Sequence, residues 1–215
     1  MSYSIIGSGH IGSALARQFA RKGIDVGIAN ARGPESIAAL GKELGLSVTP
    51  RTLEEALRAD TVILAVPFPA VPLIARARSD WSGKIVIDAT NAIDFPAYTP
   101  TDLGGRPSSE VIAETLRGAR LVKAFNTLPA AVLAADPSVD GGRRVLFVSG
   151  NDPKANSDVA NLIEKLDFAP IILGKLGEGG LLQQYGGPLM IQNLVKLKLE
   201  AEPAAGAPLL QQSTP

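Results

Sequence analysis

Two groups of residues near the amino terminus have types and spacing suited to chemistry. The first is Gly7-Ser8-Gly9-His10-Ile11-Gly12, a Gly-x-Gly-x-x-Gly turn. In such a turn the first glycine permits a tight bend, the second lets the backbone approach a pyrophosphate, and the third lets a helix pack closely on the preceding strand. The phosphates would rest on the free N–H groups at the positive end of that helix. Three glycines alone also suit any sharp strand-to-helix turn. The second group is Asn30-Ala31-Arg32, with Ser36 beyond it, roughly 20 residues after Gly7, where a dinucleotide fold meets the adenosine ribose. An Asp or Glu here would accept from the ribose 2′-hydroxyl and repel a 2′-phosphate. Asn30 and Arg32 instead favour NADP(H) over NAD(H), because a guanidinium makes paired, charge-assisted bonds to phosphate. The alternative for Arg32 is a solvated side chain on a turn.

Further candidates sit where apolar runs end, at the positions that border the ligand crevice of a parallel sheet. Val66, Pro67 and Phe68 follow one run, Asn91 a second, and Asn126 with Thr127 a third. Phe68 can equally cap the core, and Asn at a strand exit is also ordinary turn chemistry. Asn91 is positioned to meet the nicotinamide ribose or carboxamide.

The composition excludes several chemistries. There is no cysteine, so there is no disulfide, thiolate nucleophile or cysteine metal site, and with His10 the one histidine, a histidine zinc site is excluded too. His10 is read as a loop residue lending its backbone N–H. No Tyr-x-x-x-Lys pair is present. No catalytic side chain and no metal ligand is therefore assigned. A hydride passed directly between stacked rings needs proximity and orientation more than an acid or base. Lys plus Arg number 21 and Asp plus Glu 21, so nothing attracts nucleic acid or an anionic membrane. No apolar stretch nears the ~20 residues that span a bilayer, the N-terminus lacks a basic leader, and the expected location is the cytoplasm.

The elements that must position these residues alternate. Ser4-Ile5-Ile6 predicts a strand, the next helix ends at Gly23, and Ile24 to Ala29 predicts a second strand. A helix with Ile37, Leu40 and Leu44 inward follows from Pro34, then a short strand at Leu46 to Val48 and a capping box, Thr52 to Glu55, opening a brief helix. Strands are expected at Thr61 to Val66, Lys84 to Asn91, Leu121 to Thr127, Arg144 to Ser149 and Ala169 to Leu173. Between them come helices from Val71, from Ser108 and Ser109 as caps, and from Pro153, with Ala92 to Pro107 irregular. The fold class is thus α/β, a Rossmann-type doubly wound parallel sheet with a small C-terminal helical element. Residues 1–174 form the NADP-binding domain, and 175–215 a substrate-covering element and tail. Pro188 to Leu197 reads as one apolar helix that must bury against the domain or a second subunit, which makes a homodimer through it possible.

Several blocks carry a family resemblance. Gly7 to Leu15, Asn30 to Ser36, Ala65-Val66-Pro67, Asp88-Ala89-Thr90-Asn91 and Val122 to Thr127 are similar to the NADP-dependent coenzyme F420 oxidoreductases, and the likeness continues through Ser149-Gly150 to Gly186-Gly187-Pro188-Leu189. The resemblance implies hydride transfer between NADPH and a deazaflavin, coenzyme F420, stacked on the nicotinamide. It implies that Ser8 to Ile11 hold the pyrophosphate and that Ala31 and Arg32 hold the 2′-phosphate; Ala124 and Asn126 complete the expected cofactor contacts. Ala31 stands where the family commonly has serine, which removes one hydroxyl donor. Two rivals stay open: transfer to a flavin, quinone or imine, and a non-enzymatic NADP-sensing module.

Overall fold

Alternating apolar runs and amphipathic segments build a sheet with helices on both faces in the computed structural model, which describes residues 1–198. The elements run β1 (Tyr3–Ile6), α1 (His10–Arg21), β2 (Val26–Ala29), α2 (Ala38–Leu44), β3 (Val48–Pro50), α3 (Leu53–Ala56), β4 (Thr61–Leu64), α4 (Val71–Arg76) and β5 (Ile85–Asp88). They continue with β6 (Ile93–Asp94), β7 (Thr99–Pro100), α5 (Ser108–Thr115), β8 (Arg120–Lys123), α6 (Ala130–Ala134), β9 (Ser138–Val139) and β10 (Gly142–Gly150). The last are α7 (Pro153–Lys165), β11 (Ala169–Ile172), α8 (Gly179–Gln183) and β12 (Val195–Lys196).

The main sheet has the order β11-β10-β8-β5-β4-β1-β2-β3, with all neighbours from β3 to β8 parallel. β4 and β5 are buried at every residue because helices cover both faces. The strand order reverses between β1 and β4, so the loops leaving their carboxyl ends part and open a crevice. No helix among the described residues is long and apolar enough to cross a membrane.

The structure departs from the sequence reading in four places. First, the sheet is not wholly parallel: β10 runs antiparallel to β8 through Ser149 opposite Lys123 and Gly150 opposite Val122. Asp140 and Gly141, both with positive φ, make a tight hairpin between β9 and β10 that returns the chain without a crossover helix. Second, Pro188 to Leu197 is not a helix. Turns after the Gly186-Gly187-Pro188 break lead to β12, whose Val195 and Lys196 pair with Arg144 and Arg143 on β10. An available strand edge satisfies this backbone better than a helix begun beside two glycines, and the helix expected to carry a homodimer does not form. Third, the strand expected at Leu46 starts at Val48, since Leu46 lies fully exposed on the preceding turn. Fourth, neither serine caps α5; Pro107 occupies that position, and the Ser109 hydroxyl is used elsewhere. By contrast, the capping box at Thr52 and Glu55 is complete in both directions.

Candidate functional site

The glycine turn separates into structural and open positions. Gly7 has φ 112°, and a Cβ there would collide with the Ala65 carbonyl oxygen while lying 3.1 Å from Val66 Cγ1. At Gly12 a Cβ would strike the carbonyl oxygen of Gly7. Both glycines are therefore required by the meeting of β1, α1 and the β4 exit. Gly9 differs: nothing lies within 4 Å of a Cβ built there. Gly9 is the N-terminal cap of α1 and offers no side-chain cap, so the first N–H groups of the helix keep no intrahelical acceptor. Gly9 and His10 are exposed, Ser8 and Ile11 half-buried. The open, uncapped terminus of a twelve-residue helix is a position suited to an anion.

Asn30 ties that terminus to the exit of β2. Its Nδ2 donates to Ser8 Oγ at 2.8 Å and to Ser36 Oγ at 2.9 Å, while its Oδ1 accepts from Arg32 N at 2.8 Å. The Ser36 hydroxyl also reaches the Gly33 carbonyl at 2.8 Å. Asn30 and Ser36 thus hold the loop in shape and present Ala31 and Arg32, both exposed. Among the described residues the Arg32 guanidinium enters no hydrogen bond or ion pair, which leaves its fork of donors for an external anion.

Across the crevice, Val66 is half-buried, Pro67 exposed, and Phe68 packs partly buried against the cluster that includes Val71, Ile74 and Trp81. Asn91 and Asn126 meet. Asn91 Nδ2 donates to Asn126 O at 3.0 Å, and Asn126 Nδ2 donates to Asn91 Oδ1 at 3.0 Å and to Gln183 O at 2.6 Å. Asn126 Oδ1 is buried without a partner. Between β8 and Asn126 the chain passes Ala124, fully buried, and Phe125, a buried aromatic at φ 65°. A bulky side chain in the left-handed region is uncommon away from functional or strained positions.

Beneath this pair lies a group that sequence reasoning did not select. Lys123 and Asp88 are both fully buried and paired, Lys123 Nζ to Asp88 Oδ2 at 3.0 Å. Asp88 Oδ2 also accepts from Ser109 Oγ at 2.7 Å, and Oδ1 accepts from Thr90 N at 2.9 Å and Thr90 Oγ1 at 2.7 Å. Lys123 donates again to Thr90 O at 3.2 Å, and its own carbonyl accepts from Gln183 Nε2 at 3.1 Å. The network fixes Thr90-Asn91, β8, α5 and α8 to one another. Its signal in the sequence was a charged residue inside each of two otherwise apolar runs, Ile85 to Asp88 and Leu121 to Phe125.

A family model described as NADP oxidoreductase, coenzyme F420-dependent, matches residues 2–92, which carry the glycine turn, Arg32 and Asn91. A hypothetical protein from Sinorhizobium meliloti is 55% identical, with a TM-score of 0.89, covering 91% of this chain and 96% of that one. A crystal structure from Arthrobacter sp. described as an F420-dependent NADP-reductase is 26% identical with a TM-score of 0.69, over 82% of this chain and 86% of its own. Human metalloreductase STEAP2 is 27% identical over 177 residues, 82% of this chain but 34% of STEAP2, so the chain spans about a third of the length of the curated relatives it matches.

Proposed function

We propose, from the premise that this chain belongs to the coenzyme F420-dependent NADP oxidoreductase family, that it passes a hydride between NADP(H) and the deazaflavin coenzyme F420. In this reading residues 1–174 bind NADP(H) and residues 175–198 form the acceptor side; the rest of the expected C-terminal element, 199–215, lies outside the described residues. The observation that carries it is Gly9: the protein itself has no steric need of a glycine there, whereas a phosphate lying on the α1 terminus does. Gly7, Gly9 and Gly12 shape the cradle, and Ser8, His10 and Ile11 offer backbone N–H groups to a pyrophosphate. Arg32 takes the 2′-phosphate, beside Ala31, on the loop that Asn30 and Ser36 brace. Val66, Pro67 and Phe68 flank the nicotinamide half. Asn91, Ala124 and Asn126, at the β5 and β8 exits, are the residues assigned to the carboxamide, and Asn126 Oδ1 has no partner in the protein.

Bound NADPH supplies the hydride. The chain's own residues orient the two rings, and the one proton that completes the reduced deazaflavin after hydride transfer comes from solvent, the Lys123–Asp88 pair being buried and engaged with itself beneath the crevice. The second reading keeps the cradle and changes the acceptor to a flavin, quinone or imine; one relative, named a metalloreductase, is not named for a deazaflavin acceptor. Turnover separates the two. With NADPH as donor, faster reduction of coenzyme F420 than of FMN or riboflavin supports the first reading; reduction of flavin alone overturns it.

A further inference from the structure

The chain leaves β5 at Asn91 and makes a long excursion before α5. The β6–β7 hairpin turns back, and its base meets the segment that follows α8, enclosing a cavity of about 260 Å³. Ala92, Arg106, Ser108, Gln184 and Tyr185 are among its walls. The cavity lies next to the crevice in the chain as well as in space: Ala92 follows Asn91, and Gln184 follows the Gln183 whose carbonyl accepts from Asn126.

Its polar groups are of both kinds. Ser108 is 2% exposed, and its hydroxyl has no partner in the protein. Gln184 Oε1 accepts from Ser108 N at 3.0 Å, which leaves the amide's NH2 end as a donor. Arg106 bonds the Glu114 carboxylate through Nη2 alone, leaving further N–H groups. Acceptors are present too. Asp102 also lines the cavity; one carboxylate oxygen accepts from Gly104 N at 2.9 Å and the other has no partner. Tyr185 donates its hydroxyl proton to Tyr98 O at 3.0 Å and keeps its lone pairs.

A phosphate or carboxylate would meet Asp102 and the Glu114 partner of Arg106, so the anion is opposed. Polyol hydroxyls, which both donate and accept, match every group named. The volume is below the ~300 Å³ at which pockets begin to enclose drug-sized ligands, too little for a tricyclic ring and enough for a short chain.

We infer that this cavity holds the uncharged polyhydroxylated stretch, of ribityl type, of the side chain of the hydride acceptor whose ring lies over the crevice. The inference rests on the proposed hydride transfer to a ring-bearing acceptor and adds the place where that acceptor's side chain is read.

The test uses paired probes in the presence of NADP+: riboflavin against lumiflavin, which lacks the ribityl chain, and the same pair of 5-deazaflavins, each titrated by fluorescence quenching. The ribityl member of at least one pair binds about tenfold more tightly than its partner, the worth of one or two hydrogen bonds. Gln184→Leu and Ser108→Ala shrink that advantage and leave the chain-free member within about twofold. Ser108→Ala removes a hydroxyl that bonds nothing in the protein, so loss of folding does not obscure the result. Equal binding of both members of both pairs, or no binding at all, overturns the inference. So does much tighter binding of FMN than of riboflavin with the gain lost in Arg106→Ala, which would make the cavity an anion site. Turnover with NADPH keeps the two readings apart. Reduction of coenzyme F420 without any ribityl preference sinks the cavity alone, and a ribityl preference without deazaflavin reduction sinks the choice of acceptor alone.

Discussion

Replacing Lys123 by Met tests whether the buried network organises the crevice. Asp88 is fully buried and receives four hydrogen bonds, two from Thr90, one from Ser109 and one from Lys123. Lys123→Met removes the one counter-charge and leaves the carboxylate with three neutral donors. Breaking a buried pair from one side costs about 3–5 kcal/mol, because an uncompensated charge remains in the interior. Against a domain stability of about 5–15 kcal/mol, that is roughly 30–50% of the total at mid-range. The double variant Lys123→Met/Asp88→Asn removes both charges and recovers about 1–3 kcal/mol of the loss, as coupled neighbours do. Trp81, the one tryptophan and 3% exposed, reports unfolding in urea. Because Lys123 also holds Thr90 O, the Asn91 loop loosens and KM for NADPH rises with the loss of stability. A loss below about 1 kcal/mol, the worth of an exposed pair, would refute the reasoning. So would a double variant less stable than the single one.

Three further outcomes follow from the site. Gly9→Ala leaves the urea midpoint close to the parent's yet abolishes measurable NADPH binding by calorimetry, whereas Gly12→Ala lowers the midpoint because its Cβ meets Gly7 O; equal effects on stability would contradict the division. Arg32→Ala raises KM for NADPH by about 10- to 100-fold, the worth of a charge-assisted bond, and leaves NADH unchanged, while Ala31→Ser tightens NADPH by about two- to tenfold; parallel changes for both nucleotides would show that neither residue reads the 2′-phosphate. Hydrogen bonds from Ser2 N and Oγ hold the Asp60 carboxyl below its usual range. Its contribution is therefore present above the unfolded carboxylate value of about 4 and lost as pH falls through the lower folded value. The Tm difference between the parent and Asp60→Asn narrows in acid, and a difference independent of pH would contradict this.

What was legible in the sequence was local. Gly7, Gly9 and Gly12 fall at the junction of β1 and α1 within twelve residues of the N-terminus, so spacing alone points to the cradle, and Arg32 follows from a fixed distance along the same β-α-β unit. What was missed depends on pairing across long separations. Lys123 meets Asp88 35 residues away and Gln183 60 residues away, and nothing near any of the three announces the others. Leu189, Met190, Leu194 and Leu197 have helical spacing, but the open edge of β10 captures Val195-Lys196, and that edge exists only once the sheet has formed. The Asp140-Gly141 turn was a readable hairpin signal; its consequence, an antiparallel β10, is not written in either residue.

The most direct measurement follows the hydride itself. Each C4 position of NADPH is labelled in turn with deuterium, and coenzyme F420 is reduced by the protein in ordinary water. Two rings held face to face over Asn91 and Asn126 transfer the label from one face only, so deuterium appears in the reduced deazaflavin from one labelled NADPH and not from the other. Reduction with solvent hydrogen in place of label, or no reduction of the deazaflavin at all, would contradict direct ring-to-ring transfer.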